Sequence, residues 1–302
     1  SQSVKPNVVL GFNNLTSVTE VNFANMNTYD CDLFGKDNIC LSLGGRYTSI
    51  NAPKTETGSA VLVLGHKISD RLRLGTFHQK NLSHKTPESL KLSDNTPMTG
   101  FLVDWNQNPN HLGFQLKLAN AQQQKNATLM REIVGISELG IGKTVIEAKS
   151  YVVELQYAFQ YSEDTLLRPY FATRSATIKQ DAYTETGNNS PLSFNEINDI
   201  SATILLGLKF QTNLKEKLSL KGSVGVENDI KHQVDNLVPT GIPGLSPVSL
   251  SDDFKKTRPV VSLGFDYEQR SNHRFSGVIQ YKELPYQSKT ESNAYLYYTF
   301  GF

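Results

Sequence analysis

No stretch of about 18 apolar residues occurs anywhere in the 302-residue chain, which excludes a transmembrane helix. The longest apolar stretches, Ala60 to Leu64 and Ile204 to Leu208, have the length of strands. A net charge of +1 leaves no electrostatic footprint for nucleic acid, so no nucleic-acid partner is expected. Cysteine is scarce: Cys31 and Cys40 either close a small disulfide loop in an oxidising compartment or stand as two separate thiols. The six histidines (His66, His78, His84, His111, His232, His273) are scattered and none lies near the cysteines, so no metal centre is expected. The chain contains neither a G-x-S-x-G elbow nor a phosphate loop, and no cofactor is expected. It begins at Ser1 without a signal peptide and reads as a processed or excised segment.

What is present in abundance is alternation. From Tyr151 to Tyr161 the odd positions are Tyr151, Val153, Leu155, Tyr157, Phe159 and Tyr161, whereas Glu154, Gln156 and Gln160 hold even ones. Period-2 patterning of this kind marks a strand with one greasy face and one polar face. Eleven further segments follow the same rule: Cys40 to Ile50, Ser59 to Ile68, Leu72 to Lys80, Thr99 to Asn106, Leu112 to Ala121, Leu166 to Gln180, Ser201 to Asn213, Leu218 to Ile230, Arg258 to Gln269, Arg274 to Leu284 and Asn293 to Phe302. Tight links (Ile68–Leu72, Asn106–Leu112, Tyr161–Leu166, Asn213–Leu218, Gln269–Arg274) alternate with mostly longer ones, notably Asn81 to Met98, Gln122 to Ser150, Thr184 to Ile200 and Lys231 to Thr257. Short and long connections separated by parity predict an all-β, closed, antiparallel, up-and-down transmembrane barrel of about twelve strands. In this reading residues 1–39 are a leader that could plug the lumen and 40–302 are the barrel. The mean hydropathy of -0.37 does not oppose it, because alternating strands average to a soluble-looking value.

A soluble sandwich also alternates, so the faces have to be told apart. Aromatics near the ends of the apolar faces (Tyr47, Trp105, Tyr151, Tyr161, Phe210, Tyr267, Phe275, Tyr281, Phe300, Phe302) fit interfacial girdles. The polar faces carry charges expected to line a lumen: Arg46, Lys117, Glu154, Arg168, Arg174, Lys209, Lys221, Glu227, Asp266, Glu268 and Lys282. Cations outnumber acids in that set, so an open lumen would favour anions. The other reading of these charges is a salt-bridged, plugged interior. The last strand, with Leu296, Tyr298, Phe300 and Phe302 on one face, resembles the C-terminal signal of bacterial outer-membrane proteins. Tyr298, Phe300 and Phe302 are therefore the expected insertion signal.

Size, strand count, terminal Phe302, a non-barrel leader and the segment Tyr29 to Arg46 together make the chain similar to the C-terminal translocator domain of autotransporters, the type V secretion proteins. The resemblance implies a Gram-negative outer-membrane location with long loops extracellular and barrel termini periplasmic. It implies lipid, lipopolysaccharide, the barrel-assembly machinery and an N-terminal passenger as partners, and a monomer. It also places a segment inside the lumen, for which Thr16 to Met26 is the candidate. Val18, Val21 and Phe23 form only a partial stripe there, and Asn13, Asn14, Asn22 and Asn25 lower helix propensity, which speaks against a long helix. Some family members cut themselves between adjacent asparagines, and Asn13–Asn14 is the corresponding pair. Rival functions are a porin-like channel, a loop-mediated adhesin and an embedded lipid hydrolase. The hydrolase would need a serine beside His78, since His273 and Ser271 fall at a short-turn rim.

Overall fold

The computed structural model describes residues 16–51, 54–93, 96–131, 138–251, 254–285 and 289–302. Twelve long strands carry the fold: β1 (Ile39–Ile50), β2 (Thr55–Ser69), β3 (Leu72–Lys85), β4 (Met98–Asn106), β5 (Gly113–Arg131), β6 (Gly140–Gln160), β7 (Thr165–Gln180), β8 (Ile197–Lys215), β9 (Leu218–Val234), β10 (Thr257–Arg270), β11 (His273–Glu283) and β12 (Thr290–Gly301). Each pairs antiparallel with the next. β12 returns to β1 in continuous register from Cys40↔Gly301 to Ile50↔Glu291, which closes the barrel. Closure removes both sheet edges, a requirement where no water can satisfy backbone groups.

One rim has the turns 70–71, 107–112, 161–164, 216–217 and 271–272. The other carries the long connections 86–97, 181–196 and 235–256, together with 51–54 and 284–289, which are no longer than turns. The expected loop Gln122 to Ser150 is mostly strand, since β5 and β6 stay paired from Gln122↔Lys149 up to Arg131↔Gly140. Its polar residues alternate with Ala121, Ala127, Ile146 and Ala148, all buried, so the hairpin rises beyond the barrel wall with one covered face. Tyr183–Thr184, Ser193–Phe194 and Pro239–Thr240 form a small separate sheet at this rim. Leu90–Ser93 adds to β5.

The faces separate as the alternation requires. Tyr151, Val153, Leu155, Tyr157, Phe159 and Tyr161 all point outward and are exposed, as are Leu206, Val224, Val226, Leu263, Ile279 and Leu296 on other strands. The ten-residue step from Tyr151 to Tyr161 runs about 33 Å along the strand. At a tilt of about 40° that stands roughly 25 Å tall, the height of an outer-membrane apolar band. Inside, β5, β6 and β7 present small residues, Ala119, Ala121, Ala148, Ser150, Ala172 and Ala176. The space they leave is filled by the leader. Residues 16–25 form a helix, α1, continued by a 3-10 turn at Met26–Thr28, and residues 16–26 are all buried.

Candidate functional site

The helix forms against its weak propensity because the barrel wall supplies partners for its polar side chains. Asn22 donates to Gln123 Oε1 and accepts from Gln79, each at 3.0 Å. Asn25 Oδ1 accepts from Arg46 at 3.2 Å. The apolar side is used as well, with Val18 and Val21 packed on Ile50 and Leu284, and Phe23 and Met26 in the main buried cluster. The contacts fix the direction of travel: Val18 meets the long-loop end, and the chain then descends toward the short-turn end. There Lys117 Nζ donates to the carbonyls of Asn27 (3.2 Å) and Tyr29 (2.8 Å), placing a cation at the negative end of the helix dipole. The Arg46 guanidinium lies over the rings of Tyr29 and Tyr295 at 5.2 and 4.4 Å from their centroids.

Below the helix the leader is bound by ion pairs. Arg73 forks onto Asp30 (Nε 3.1 Å, Nη2 2.6 Å) and reaches Asp104 at 2.8 Å, and Arg274 pairs with Asp32. Cys31 and Cys40 are joined in a disulfide, Cα to Cα 5.7 Å, which ties the leader to the start of β1. The carbonyl oxygen of Phe302 accepts from the backbone N–H groups of Gly35 (2.9 Å), Asp37 (3.0 Å) and Ile39 (3.2 Å). A Cβ at Gly35 would stand 2.5 Å from the Phe302 carbonyl carbon, so the approach requires glycine. Tyr298, Phe300 and Phe302 form an outward ladder along this seam, with ring centroids 4.6 and 6.4 Å apart.

Above, on the β7–β11 side, lies the densest charge cluster. Glu227 accepts both Arg174 guanidinium nitrogens at 3.2 Å and Lys282 Nζ at 3.1 Å. Arg258 bridges Glu227 (3.3 Å) and Asp229 (2.7 and 2.9 Å). All five residues are buried. Toward the short-turn rim a cavity of about 420 Å³ opens among Arg168, Lys209, Glu154, Lys221, Asp266, Arg274 and Tyr297. Lys221 pairs with Asp266 at 2.8 Å and Lys209 with Glu154.

Of the charges assigned to the lumen from alternation, Arg46, Lys117, Glu154, Arg174, Glu227 and Lys282 are buried inside, and Arg168, Lys209, Lys221 and Asp266 line the cavity. Glu268 differs: it faces inward by parity but lies exposed at the short-turn rim, where β10 ends. The interior is more evenly balanced than that set suggests, because Glu20, Asp104, Glu185, Asp199, Asp229 and Glu291 are buried as well, with Asp30 and the partly exposed Asp32 paired to Arg73 and Arg274, alongside the buried cations Arg73, Lys125, Arg131, Arg258 and Lys289. Arg73, Asp104, Arg258 and Glu291 keep the inward parity of their strands; the first three fall within segments the alternation already marks, and extending the last segment back to Glu291 would have added the fourth. The scattered histidines hide one cluster: His232 comes together with Glu20 and Asp199. His78 points outward between Leu62 and Thr99 in register, with no serine beside it. His273 packs on Tyr298 and Phe300. The pair Asn13–Asn14 lies outside the described residues.

The chain is thus a closed twelve-strand barrel with a helix descending through it. Residues 148–281, from within β6 to β11, match the autotransporter beta-domain family. That match covers somewhat less than half of the chain and makes this part of it similar to the autotransporter beta-domain. The fold of the chain is similar to the translocator domain of autotransporter NalP from Neisseria meningitidis, with a TM-score of 0.74 at 14% identity and all of both chains covered. It is also similar to the beta domain of the Bordetella autotransporter Brka, with a TM-score of 0.54 at 11% identity, covering 88% of this chain and 99% of that one. The Ralstonia pickettii toluene transporter TbuX is a further structural neighbour, with a TM-score of 0.51 at 14% identity, covering 93% and 94% of the two chains. At such identities the likeness is one of fold. No curated protein matches the chain.

Proposed function

We propose that this autotransporter barrel exports an N-terminal passenger through its lumen and then anchors it at the cell surface, with the leader remaining inside as the tether. The observation that carries this reading is the direction of the leader. α1 runs from Val18 at the long-loop end toward Lys117 and Arg73 near the short-turn end, so its N-terminal end is directed at the long-loop rim. If the long loops face outward, that rim opens on the cell surface. The short-turn rim, where β1 begins and β12 ends, then faces the periplasm. Lipid and lipopolysaccharide contact the outer face, and the barrel-assembly machinery reads the Tyr298, Phe300 and Phe302 ladder. The interior charges pair among themselves and with the leader, and the barrel works as a monomer. No catalytic group is needed, because the work is done by architecture.

The test fuses a small folded reporter upstream of Ser1 and expresses it with a signal peptide in a Gram-negative host. Protease added to intact cells is expected to release the reporter while leaving the barrel in the membrane. A reporter that stays protected until the outer membrane is broken would overturn the proposal.

A further inference from the structure

Glu20 on α1, Asp199 in β8 and His232 in β9 bring one donor atom each to within 4.8 Å of one another, all inside the barrel. The histidine is already oriented. Its Nε2 stands 2.8 Å from Asp199 Oδ1, its Nδ1 lies 3.8 Å from Asp229 Oδ2, and its ring stacks on Phe254 with centroids 3.7 Å apart. Asp229 is itself held by Arg258 at 2.7 Å and by the Thr203 hydroxyl at 2.7 Å. Nδ1 is too far from Asp229 for a hydrogen bond, so the ring is set by its stacking on Phe254 and by Nε2 on Asp199, which turns Nε2 toward the carboxylate oxygens. The second sign is an orphan: Glu20 is buried to 6% exposure, and its Oε1 has no hydrogen-bond partner among the described residues. A buried carboxylate oxygen left unsatisfied is costly, and a cation is one way to satisfy it.

The neighbouring cations do not fill that role in the structure. Arg174 and Lys282 are spent on Glu227, and Arg258 on Glu227 and Asp229. We propose that Glu20, Asp199 and His232 form a three-ligand site for a divalent cation of the zinc class, which fastens the lumen helix to the barrel wall. One imidazole and two carboxylates suit such an ion, and two negative ligands neutralise its charge. Donors on a common zinc stand roughly 3–3.5 Å apart, so the site closes by a rotation of the Glu20 carboxylate on its flexible stem. Because one ligand comes from the leader and two from the wall, the site exists only when α1 is seated.

The test uses the whole chain refolded in detergent, stripped with EDTA and titrated with zinc chloride by calorimetry. A heat-dependent gel shift verifies folding of every variant. One zinc per barrel is expected, with His232→Ala and Glu20→Gln each weakening binding at least tenfold. On the wild-type protein, zinc-edge X-ray absorption is expected to show one imidazole nitrogen among oxygen ligands, a readout that survives even if both variants fail to fold. Absence of stoichiometric binding, equal affinity in folded variants, or a spectrum without imidazole would each overturn the site.

Discussion

Glu227 is the residue on which the lumen's charge converges, since three cations, Arg174, Lys282 and Arg258, share its two oxygens. Breaking a buried ionic cluster from one side costs about 3–5 kcal/mol, because it strands the remaining charges. Glu227→Gln is therefore expected to lower the unfolding free energy of the detergent-folded barrel, read from a urea titration, by an amount of that size. A variant as stable as wild type would mean that water reaches the cluster and screens it. Glu227, Arg174 and Lys282 were all legible in the alternation, because each sits on the polar face of its strand. Arg258 and Asp229 share that parity within the same segments, but alternation alone does not say whether a charge toward a strand end pairs inside the lumen or meets water at the rim. His232 was harder still: its meaning depends on Glu20, far away in sequence, and no spacing rule joins residues brought together by closure of a barrel.

At the scale of elements, strands and helix differ in what makes them visible. A strand such as β6 writes its pattern locally, because lipid and lumen alternate along it. Helix α1 does not, because its stability comes from Gln79, Gln123, Arg46 and Lys117 on strands distant in sequence. Propensity was a poor guide for the same reason, as asparagines that weaken an isolated helix become its fasteners in a polar lumen. The extended hairpin of β5 and β6 carries no strand signature in its outer half, because that half faces water on one side and so lacks the greasy face. The helix also decides whether the lumen conducts. Deleting residues 1–30 removes α1 and the Asp30 partner of Arg73 while leaving the barrel ladders intact. Single-channel conductance in planar bilayers is expected to rise severalfold over the full chain. An unchanged trace would mean that the wall side chains close the pore unaided.

For the whole molecule the governing fact is that the sheet has no edge. β12 is paired over eleven residues with β1 and over eleven with β11, so it serves two ladders at once. Removing residues 290–302 would leave β1 and β11 each with an open row of backbone donors and acceptors facing hydrocarbon, where every unsatisfied group costs several kcal/mol. No rearrangement of the remaining strands repairs this cheaply. Joining β11 to β1 in their place would narrow the barrel around α1, which already fills its cross-section against Phe23, Met26 and the alanines of the wall. Nor could α1 substitute, because its own backbone bonds are spent in the helix. The truncated chain is therefore expected to give no heat-shifted band in detergent and no protease-resistant core, whereas the full chain gives both. A shifted band from the truncated chain would show that closure by β12 is dispensable, and with it the claim that one continuous hydrogen-bonded ring holds this protein in a membrane.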